Sequence, residues 1–386
     1  MVKRVAIIIE RADVALGGAE RSISEVTDAL STLGLEVDLL AARGVPGNAN
    51  VHLLCQDLPG KRVTLAAFGA ALQRHLAQTH YDIVHSVLPL DFTDLYQPRG
   101  GTYAESALRN AASYANPAVR LYKRLTAWTN CRRMELLRAE RRLCQGSTGP
   151  LVAALSHYVV DQLRTHYGTD PQRIVLTLNG VATGRQVDPN EGKALRSQIA
   201  DATQKDPVVF LFAAHNFRLK GLDRLIRALA VTESPACLAV VGAGKTDGPR
   251  QLAQRLGVGN RVAFLGPLKQ VQNAVAAADV GILPTFYDPS SRFILEVLAA
   301  GKPVVTTRFN GAVDHFKNGR HGIVVDSPDD IRALADAIRH FTVAANIQRA
   351  ARAIAEDKLI ENISIRRVAN ELFGVYERIE ERKKHL

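Results

Sequence analysis

Two carboxylates stand close to the start of one predicted helix. Asp288 and Glu296 lie in the stretch ILPTFYDPSSRFILEVLAAGKPVVTT, with seven residues between them. The stretch reads as the end of a buried strand, a short loop, a helix and a second strand. Ligands of open α/β sheets bind outside the carboxyl ends of strands, and a helix N-terminus favours phosphate. Carboxylates added there suit the hydroxyl groups of a sugar or ribose beside the phosphate.

Each carboxylate also has a structural explanation. Asp288 precedes a proline, so it can be an N-cap with proline at the first helical position. Glu296 stands among apolar residues, where an isolated charge is costly to bury, so it needs a donor partner. That partner is either Arg292, one turn earlier, or a ligand's hydroxyl groups. Ser290 and Ser291, between the two carboxylates, are counted with the residues expected to bind the same ligand.

Two cations begin another predicted helix. Arg218 and Lys220 stand in FRLKGLDRLIRAL, just after the apolar run VVFLFAA. Cations normally stabilise the C-terminus of a helix, so two at its start indicate an anionic ligand between them. Arginine suits bidentate phosphate oxygens and lysine acts as a point charge. The alternative is a solvated start of a helix.

Glycines follow two of the predicted strands. Gly17 and Gly18 open the first helix after RVAIII, and Gly242 ends the strand CLAVVGAG. Glycine lets a backbone approach a ligand closely, although a plain turn would look the same. The first turn has no G-x-G-x-x-G, and no complete G-x-x-x-x-G-K-[ST] motif occurs in the chain, which excludes a P-loop.

A histidine and an aspartate complete the candidate residues. His85 ends the run DIVHSVLP, and Asp94 follows in a turn-rich loop that also holds Arg99. At the carboxyl end of a strand His85 would face a ligand, but a lone histidine is more often structural. The loop is plausible as a site and equally plausible as ordinary surface.

The elements that must position these residues alternate between strand and helix along the whole chain. Such alternation predicts βαβ units and mainly parallel sheets. The polar stretch between them predicts a boundary, and the 386 residues suffice for two domains. We predict a first doubly wound domain over 1–182, a linker over 183–206, a second domain over 207–365 and a C-terminal helix over 366–386 that either packs back on the first domain or stands alone.

Composition narrows the class of protein. The four cysteines have no C-x-x-C spacing, which argues against a disulfide framework or zinc site and fits a reducing compartment. The apolar run at the N-terminus is too short for a signal peptide, and no stretch approaches the ~20 apolar residues of a membrane span. We expect a cytoplasmic protein.

The net charge of +11 has a local origin. Between Arg109 and Arg142 there are nine basic residues and two glutamates, mixed with Trp128 and several leucines. Apolar residues beside cations suit an anionic membrane, at which the protein would lie peripherally on the inner face of the plasma membrane. A solvated helical face is the alternative. The chain lacks a nucleic-acid-binding motif, so we expect no nucleic-acid partner.

In combination the motifs resemble those of retaining, nucleotide-sugar-dependent glycosyltransferases of family 4, which have the GT-B fold of two doubly wound Rossmann-like domains facing a cleft. Five motifs carry the resemblance, in order along nearly the whole chain: Gly-Gly-Ala-Glu, Asn-Gly-Val before the linker, Lys-Gly at a helix start, Val-Gly-x-Gly, and an acidic residue followed after seven residues by Glu. The segment after His85 is similar to that of lipopolysaccharide-core glucosyltransferases.

The resemblance implies a role for each candidate residue. Arg218 and Lys220 would bind the donor diphosphate, and Glu296 would accept hydrogen bonds from the ribose. Asp94 would lie in the active-site cleft, with His85 as a further catalytic candidate. The remaining donor-binding candidates are Gly17, Gly18, Gly242, Asp288, Ser290 and Ser291. Asp288 stands where the family usually has glutamate, which leaves the identity of the sugar open.

The implied reaction transfers a hexose from a nucleotide sugar, UDP-glucose as first guess, to a glycan or lipid-linked acceptor in cell-envelope polysaccharide or lipopolysaccharide synthesis. The resemblance implies no cofactor and no metal, and the sequence has no convincing D-x-D motif. Two alternatives stay open: a non-catalytic nucleotide-sugar or lipid-binding protein of the same fold, and a sugar-nucleotide epimerase.

Overall fold

The computed structural model describes residues 2–13, 18–45, 50–58, 63–126, 129–184, 187–203 and 207–384. The chain forms two compact units. The first comprises Met1–Leu108, Leu121–Gly180 and Ile365–Leu386, and the second comprises Arg109–Arg120 and Val181–Ser364.

The first unit is built on a seven-stranded parallel sheet with the order β3-β2-β1-β4-β5-β6-β7. The order reverses direction between β1 and β4, as in a doubly wound fold. The strands are β1 Arg4–Ala12, β2 Glu36–Gly44, β3 Val51–Leu53, β4 Ile83–Ser86, β5 Leu95–Tyr96, β6 Leu151–Ala154 and β7 Ile174–Leu176.

Helices connect the strands of this sheet, and a C-terminal helix joins them. They are α1 Gly18–Thr32, α2 Leu65–Gln78, α3 Tyr103–Ala112, α4 Pro117–Leu125, α5 Cys131–Cys144, α6 His157–Tyr167 and α15 Ile365–Lys384. The end of α3 and the start of α4 are counted with the second unit. Helix α15 packs against α1 and buries Leu372 and Tyr376 in the core of the first unit, because its apolar residues recur on one face.

The second unit is built on a six-stranded parallel sheet with the order β10-β9-β8-β11-β12-β13. The direction of winding reverses between β8 and β11. The strands are β8 Val208–Ala213, β9 Ala236–Val241, β10 Val262–Gly266, β11 Val280–Leu283, β12 Val304–Thr307 and β13 Gly322–Val325. These six are the strands that the apolar runs of this half predict.

The helices of the second unit are α7 Pro189–Thr203, α8 Leu222–Ala230, α9 Asp247–Arg255, α10 Val271–Ala277, α11 Arg292–Ala299, α12 Ile331–Phe341, α13 Ala344–Glu356 and α14 Leu359–Asn362. Short 3₁₀ turns lie at Pro171–Arg173 in the first unit and at Gly259–Arg261 and Gly311–His315 in the second. Buried residues of the sheet and of α8, α11 and α12 form one continuous core.

One part of the chain differs from the predicted linker. Helix α7 occupies most of the stretch that the sequence marks as polar, and it packs against α10 in the second unit. Leu195 and Ile199, four residues apart, lie on its buried face and belong to the core of this unit. Two apolar side chains at helical spacing are enough to fix a helix whose other positions are polar.

Candidate active site

The switch point of the second sheet brings together two loops that hold the predicted ligand-binding residues. Strands β8 and β11 are neighbours, and each runs at its carboxyl end into a loop, over 214–221 and 284–291. Ligands of doubly wound sheets bind at such a point. The position of Lys220 and Asp288 in these two loops therefore agrees with the geometry of a binding site.

Close contact between the two loops depends on a glycine. Gly221 is the N-cap of α8 and has φ of 81°. A Cβ atom at this position would lie 2.1 Å from the carbonyl oxygen of Pro284. Only glycine combines this left-handed conformation with so close an approach. The backbone after β8 therefore rests directly on the backbone after β11.

Lys220 is paired with the carboxylate that the sequence singles out. Its Nζ donates hydrogen bonds to the carbonyl oxygen of Tyr287 at 2.8 Å and to Oδ2 of Asp288 at 2.7 Å. The Lys220 side chain keeps 20% of its surface exposed and that of Asp288 keeps 14%. An ammonium group has three donors, so two are used here and one remains. The pair is a partly exposed, oriented cation at the mouth of the sheet.

Asp288 does not cap the helix that follows. Its Oδ1 accepts the backbone N–H of Ser290 at 3.2 Å, which closes a tight local turn. Helix α11 begins at Arg292, and its N-cap is Ser291, whose hydroxyl accepts the N–H of Ile294. The N-cap explanation of Asp288 is therefore wrong, because the turn places the helix start three residues later.

A buried asparagine that the sequence analysis did not select fixes this loop. Asn310 is fully buried, and its Oδ1 accepts the backbone N–H groups of Ser291 at 3.0 Å and Ala312 at 3.1 Å. Asp288 pairs with the backbone on either side of it, through the carbonyl oxygen of Phe309 and the N–H of Gly311. The available signal is the Asn-Gly dipeptide shortly after the end of β12, which marks a turn.

Glu296 has the protein partner of the two alternatives that the sequence offers, Arg292. Its Oε1 lies 3.5 Å from a terminal nitrogen of Arg292, one helical turn earlier. Each of the two side chains is 11% exposed. The ion pair removes the cost of an isolated charge among the apolar residues of α11. It leaves a carboxylate near the surface of the helix that follows the Asp288 loop.

Arg218 contacts a different part of the second unit from Lys220. Its guanidinium donates to the carbonyl oxygen of Asn110 at 3.0 Å, to Oδ1 of Asn110 at 2.9 Å and to the hydroxyl of Ser113. It also stacks on Tyr114, with 3.8 Å between its central carbon and the ring centre. Burial lowers the pKa of Arg218 from its ordinary value. These contacts tie 109–120 to the second unit, and the predicted phosphate role of Arg218 stays a prediction.

The structure gives a different result for each of the glycines predicted to approach the donor. Gly242 follows β9 with φ of 138°, and a Cβ there would lie 1.9 Å from the carbonyl oxygen of Ala214. Close packing of the ends of β8 and β9 is thus a sufficient reason for this glycine. Gly18 begins α1, at the carboxyl end of the first sheet. Gly17 lies outside the described residues.

His85 is placed in the interior of the first unit. It is fully buried within β4, and its Nδ1 lies 2.8 Å from the hydroxyl of Tyr376 on α15. Its Nε2 has no hydrogen-bond partner among the described residues. Burial lowers the pKa of His85 to about 3, so the ring is neutral. The expectation that His85 faces a ligand is therefore corrected: it is a core residue that contacts the C-terminal helix.

Asp94 lies at the wrong end of its strand for a role in the active site. It directly precedes β5, and its Oδ2 accepts the backbone N–H of Val84 at 2.7 Å. Its Oδ1 pairs with Nζ of Lys383 on α15 at 2.7 Å. Since parallel strands all carry their ligand edge at the carboxyl end, the active-site prediction for Asp94 is wrong. Asp94 fastens the C-terminal helix at the opposite edge.

A buried polar network occupies the carboxyl edge of the first sheet. Arg99, which follows β5, donates to Gln97 Oε1 at 2.8 Å, to the hydroxyl of Ser22 on α1 and to Asn179 Oδ1 at 3.1 Å. Gln97 in turn donates to the hydroxyl of Thr177 at 3.2 Å. These residues join α1 to the ends of β5 and β7. In the sequence, Arg99 is recognisable only as part of a turn-rich loop.

The described residues hold no group of three or more histidine, cysteine, aspartate or glutamate side chains that could bind a metal ion. Among the same residues, no helix combines the length and the apolar character needed to cross a membrane. The four cysteines are free thiols.

Comparison with known proteins adds the family. The model described as Glycosyltransferase Family 4 matches residues 16–185, and the model described as Glycosyl transferases group 1 matches residues 206–342. Among curated relatives, the lipopolysaccharide glucosyltransferase WaaG of Escherichia coli is 27% identical over 71% of this chain and 71% of its own length. A D-inositol 3-phosphate glycosyltransferase of Geodermatophilus obscurus is 28% identical over 90% of this chain and 83% of its own.

Solved structures agree on the fold. The crystal structure of WaaG, described as a glycosyltransferase involved in lipopolysaccharide biosynthesis, superposes with a TM-score of 0.75 at 22% identity, covering 96% of this chain and 99% of that one. HepE from Anabaena, in complex with UDP and glucose, has a TM-score of 0.71 at 17% identity, covering 97% and 100%. At these identities the likeness establishes the architecture.

Two doubly wound parallel sheets are the architecture of the GT-B fold, which the likeness to the WaaG structure establishes for this chain. The two family models cover most of the chain, one on each half. The chain belongs to family 4 of the glycosyltransferases, the group 1 glycosyl transferases, and is an enzyme of that kind.

Proposed function

We propose that this enzyme is a retaining glycosyltransferase that moves a hexose from UDP-glucose to a glycan or lipid-linked acceptor in the synthesis of cell-envelope polysaccharide or lipopolysaccharide. The observation that carries the proposal is the Lys220–Asp288 pair at the β8/β11 switch point. The donor is suggested by the relative WaaG, named a glucosyltransferase, and by HepE, solved with UDP and glucose.

The remaining donor of Lys220 is suited to the leaving diphosphate. Cleavage at the anomeric carbon leaves positive charge on the sugar and negative charge on the departing phosphate oxygen. The carboxylate of Asp288 and the carbonyl of Tyr287 hold the ammonium in place before the ligand arrives. A cation oriented in advance stabilises developing negative charge without reorganisation during the reaction. The diphosphate itself would receive the proton of the acceptor hydroxyl.

Glu296 is assigned to the hydroxyl groups of the donor ribose. Its carboxylate lies on α11, the helix entered from the Asp288 loop, and Arg292 fixes its orientation. Asp288 is one methylene shorter than the glutamate usual in the family, and its Oδ2 is occupied by Lys220. We therefore assign Asp288 first to the orientation of Lys220 and second to the sugar.

A thermal-shift screen of UDP- and GDP-sugars tests the donor. A ligand that binds only the folded state raises the free energy of unfolding, by about 2.7 kcal/mol at a ligand concentration of a hundred times Kd, and Tm rises with it. UDP-glucose should give the largest shift, and Lys220→Ala should remove it. A larger shift with a GDP-sugar would show that this sugar, and not UDP-glucose, is the donor. The absence of any shift would contradict nucleotide-sugar binding.

We propose further that catalysis proceeds without a divalent metal, since Lys220 supplies positive charge beside the leaving group. Turnover should be unchanged in EDTA. Activity abolished by EDTA and restored by Mg²⁺ or Mn²⁺ would contradict this part of the proposal.

The enzyme would meet its acceptor at a membrane surface, which the segment 109–142 would contact. Helix α4 has no buried residue, and it exposes Leu121, Tyr122 and Leu125 by 58%, 61% and 62%. Trp128, which the sequence analysis includes in this surface, lies outside the described residues. Apolar side chains among cations favour an anionic bilayer by about 1 kcal/mol for each basic residue at the surface.

Cosedimentation with vesicles of graded anionic lipid content at two salt concentrations measures this contact. Arg132 is unsuitable for charge reversal, because it donates to Glu10 and to the carbonyl oxygen of Val63. The variant should instead reverse Arg133, Arg138 and Arg142. If the wild type pellets with the vesicles and this variant stays in the supernatant, the proposal is supported. If the variant and the wild type pellet equally, the segment is only a solvated helical face.

A further inference from the structure

An apolar cavity of about 360 Å³ lies within the first unit, between helices α3, α4, α5 and α6. Ala107 and Leu108 of α3 and Leu137 of α5 form apolar walls, and Tyr167 of α6 contributes an aromatic surface. The volume falls in the range of ordinary small-ligand sites. None of the residues so far assigned to the donor lines it.

Two cations at this cavity have no side-chain partner among the residues that the structure describes. Arg124 and Arg141 both line it, and Arg141 also borders a second groove of about 640 Å³ on α5, together with Arg138 and Arg142. Within the described part of the chain, none of these four guanidinium groups makes a side-chain hydrogen bond or an ion pair. Elsewhere on the same helix Arg132 is paired with Glu10, so the lack of partners is local.

The floor of the cavity is fixed by buried hydrogen bonds. The hydroxyl of Tyr167 donates to Glu140, which is fully buried and also accepts from the hydroxyl of Tyr96 at 2.7 Å and the N–H of Tyr103 at 2.7 Å. The Nε2 atom of His166 lies 2.7 Å from Oε2 of Glu105. Side chains held in this way keep a cavity formed before the ligand arrives, which lowers the cost of binding.

The combination of surfaces selects one class of ligand. Inorganic phosphate or a sugar phosphate would use the arginines but leave the apolar walls wet. A neutral hydrocarbon would use the walls but would gain nothing from the two exposed guanidinium groups. A molecule with a hydrocarbon chain and a phosphate head satisfies both, since the chain buries apolar surface and arginine binds phosphate in a bidentate manner.

We propose that this cavity binds the hydrocarbon chain of a single phosphate-bearing lipid, whose phosphate lies on Arg124 and Arg141. The inference deepens the proposed function and rests on it in one respect: the lipid would be the carrier of the acceptor. It differs from attachment to an anionic surface, because one lipid molecule enters a defined cavity and binding saturates at one site.

Calorimetric titration of the full chain with dodecyl phosphate, below its micelle concentration and without nucleotide sugar, tests the proposal. Saturable binding of one molecule is expected, with inorganic phosphate and dodecyl maltoside each weaker by about tenfold or more. Arg141→Gln should weaken binding by about tenfold or more, as loss of a charge-assisted hydrogen bond does. Arg133→Gln, a matched loss of charge on α5 outside both cavities, should bind as the wild type does.

Ala107→Trp fills the cavity from α3 and leaves every charge in place, so it should abolish binding of dodecyl phosphate. Leu137→Trp makes the same test from α5, and UDP affinity shows that each variant is folded. Unchanged lipid binding in both folded tryptophan variants, or equal loss in Arg133→Gln and Arg141→Gln, overturns the proposal in favour of a charged surface. Failure of lipid binding with intact sugar transfer would refute this inference alone, whereas lipid binding without any transfer would refute the proposed function.

Discussion

At the scale of single residues, the account depends on one ion pair. The side chains of Lys220 and Asp288 are only 20% and 14% exposed, and they come from loops 68 positions apart in the chain. Asp288 offsets the charge of Lys220 and, together with the carbonyl oxygen of Tyr287, holds the ammonium group in place. In the proposed function a diphosphate would meet a hydrogen-bond donor that is already oriented, so the main role of the pair would be to position the ammonium group.

Lys220→Ala should lower kcat/KM by about 10- to 150-fold, since a hydrogen bond to a charged group contributes about 1.5–3 kcal/mol. Steady-state kinetics with varied nucleotide sugar is the measurement. Lys193→Ala removes an exposed lysine from α7 and is the matched control. If both variants turn over like the wild type, Lys220 has no part in the reaction.

The correction of Asp94 makes a separate prediction. Asp94→Asn should leave kcat within about threefold of the wild type, because the side chain lies at the amino edge of the sheet. The free energy of unfolding should fall by about 1–2 kcal/mol, as the bonds to Val84 and Lys383 weaken. Urea unfolding and turnover on one preparation separate the two effects. A hundredfold loss of kcat in a stable variant would restore the catalytic assignment.

Buried Glu140 should make stability depend on pH in a defined direction. Burial raises the pKa of Glu140 from 4.5 to about 7, against the hydrogen bonds from Tyr167, Tyr96 and Tyr103. A carboxyl whose folded pKa is raised contributes stability below its unfolded pKa and loses it as pH rises through the folded value. Relative to Glu140→Gln, the free energy of unfolding of the wild type should fall by up to roughly 3 kcal/mol between about pH 4.5 and pH 7. Urea titrations across that interval would contradict this if the two curves stay parallel.

At the scale of elements, the site depends on the contact between the start of α8 and the loop after β11. Gly221 and Gly257 both have positive φ, of 81° and 72°. A Cβ at Gly221 would meet the carbonyl of Pro284 at 2.1 Å, whereas at Gly257 nothing lies within 4 Å. An alanine would be strained by the positive φ at either position, but only at position 221 would its Cβ also clash with a neighbour.

Gly221→Ala should lower stability by about 1–3 kcal/mol more than Gly257→Ala does, because strain is common to both and the clash is not. It should also raise the KM for the donor, since the loop that carries Asp288 must move. Unfolding curves and donor kinetics on the two variants check this. Equal effects of the two substitutions would show that the contact between the loops is unimportant.

Sequence patterns predict elements well where the apolar residues form unbroken runs. The four inner strands of the second sheet are buried along most or all of their length, and the edge strands β10 and β13 are partly buried, so each appears as such a run. Helix α7 was assigned to a linker because only Leu195 and Ile199 mark its buried face among many polar residues. The placement of Asp94 also failed at this scale: the two-residue strand β5 has no recognisable pattern, so the end at which Asp94 lies could not be inferred.

At the scale of the whole molecule, the resemblance of five ordered motifs predicted the GT-B class correctly. Four of these motifs lie in the segments that follow strands β7, β8, β9 and β11. Partners distant in the chain could not be predicted in the same way. Tyr376 meets His85 across 291 positions, and Arg218 meets Asn110 across 108. Such pairs follow from tertiary packing, which periodicity does not encode, and they explain why two candidate residues have structural contacts.

The central claim is transfer of a sugar from a nucleotide donor by the site around Lys220. The most direct test incubates the purified chain with UDP-glucose labelled in the glucose and with a lipid and glycan extract of cell envelopes. Two quantities are measured: the label that enters the extract and the UDP that is released. The account predicts label in the extract with release of equal amounts of UDP, and loss of most of both with Lys220→Ala. UDP-glucose that stays intact with the folded wild type, or transfer that Lys220→Ala leaves unchanged, would contradict it.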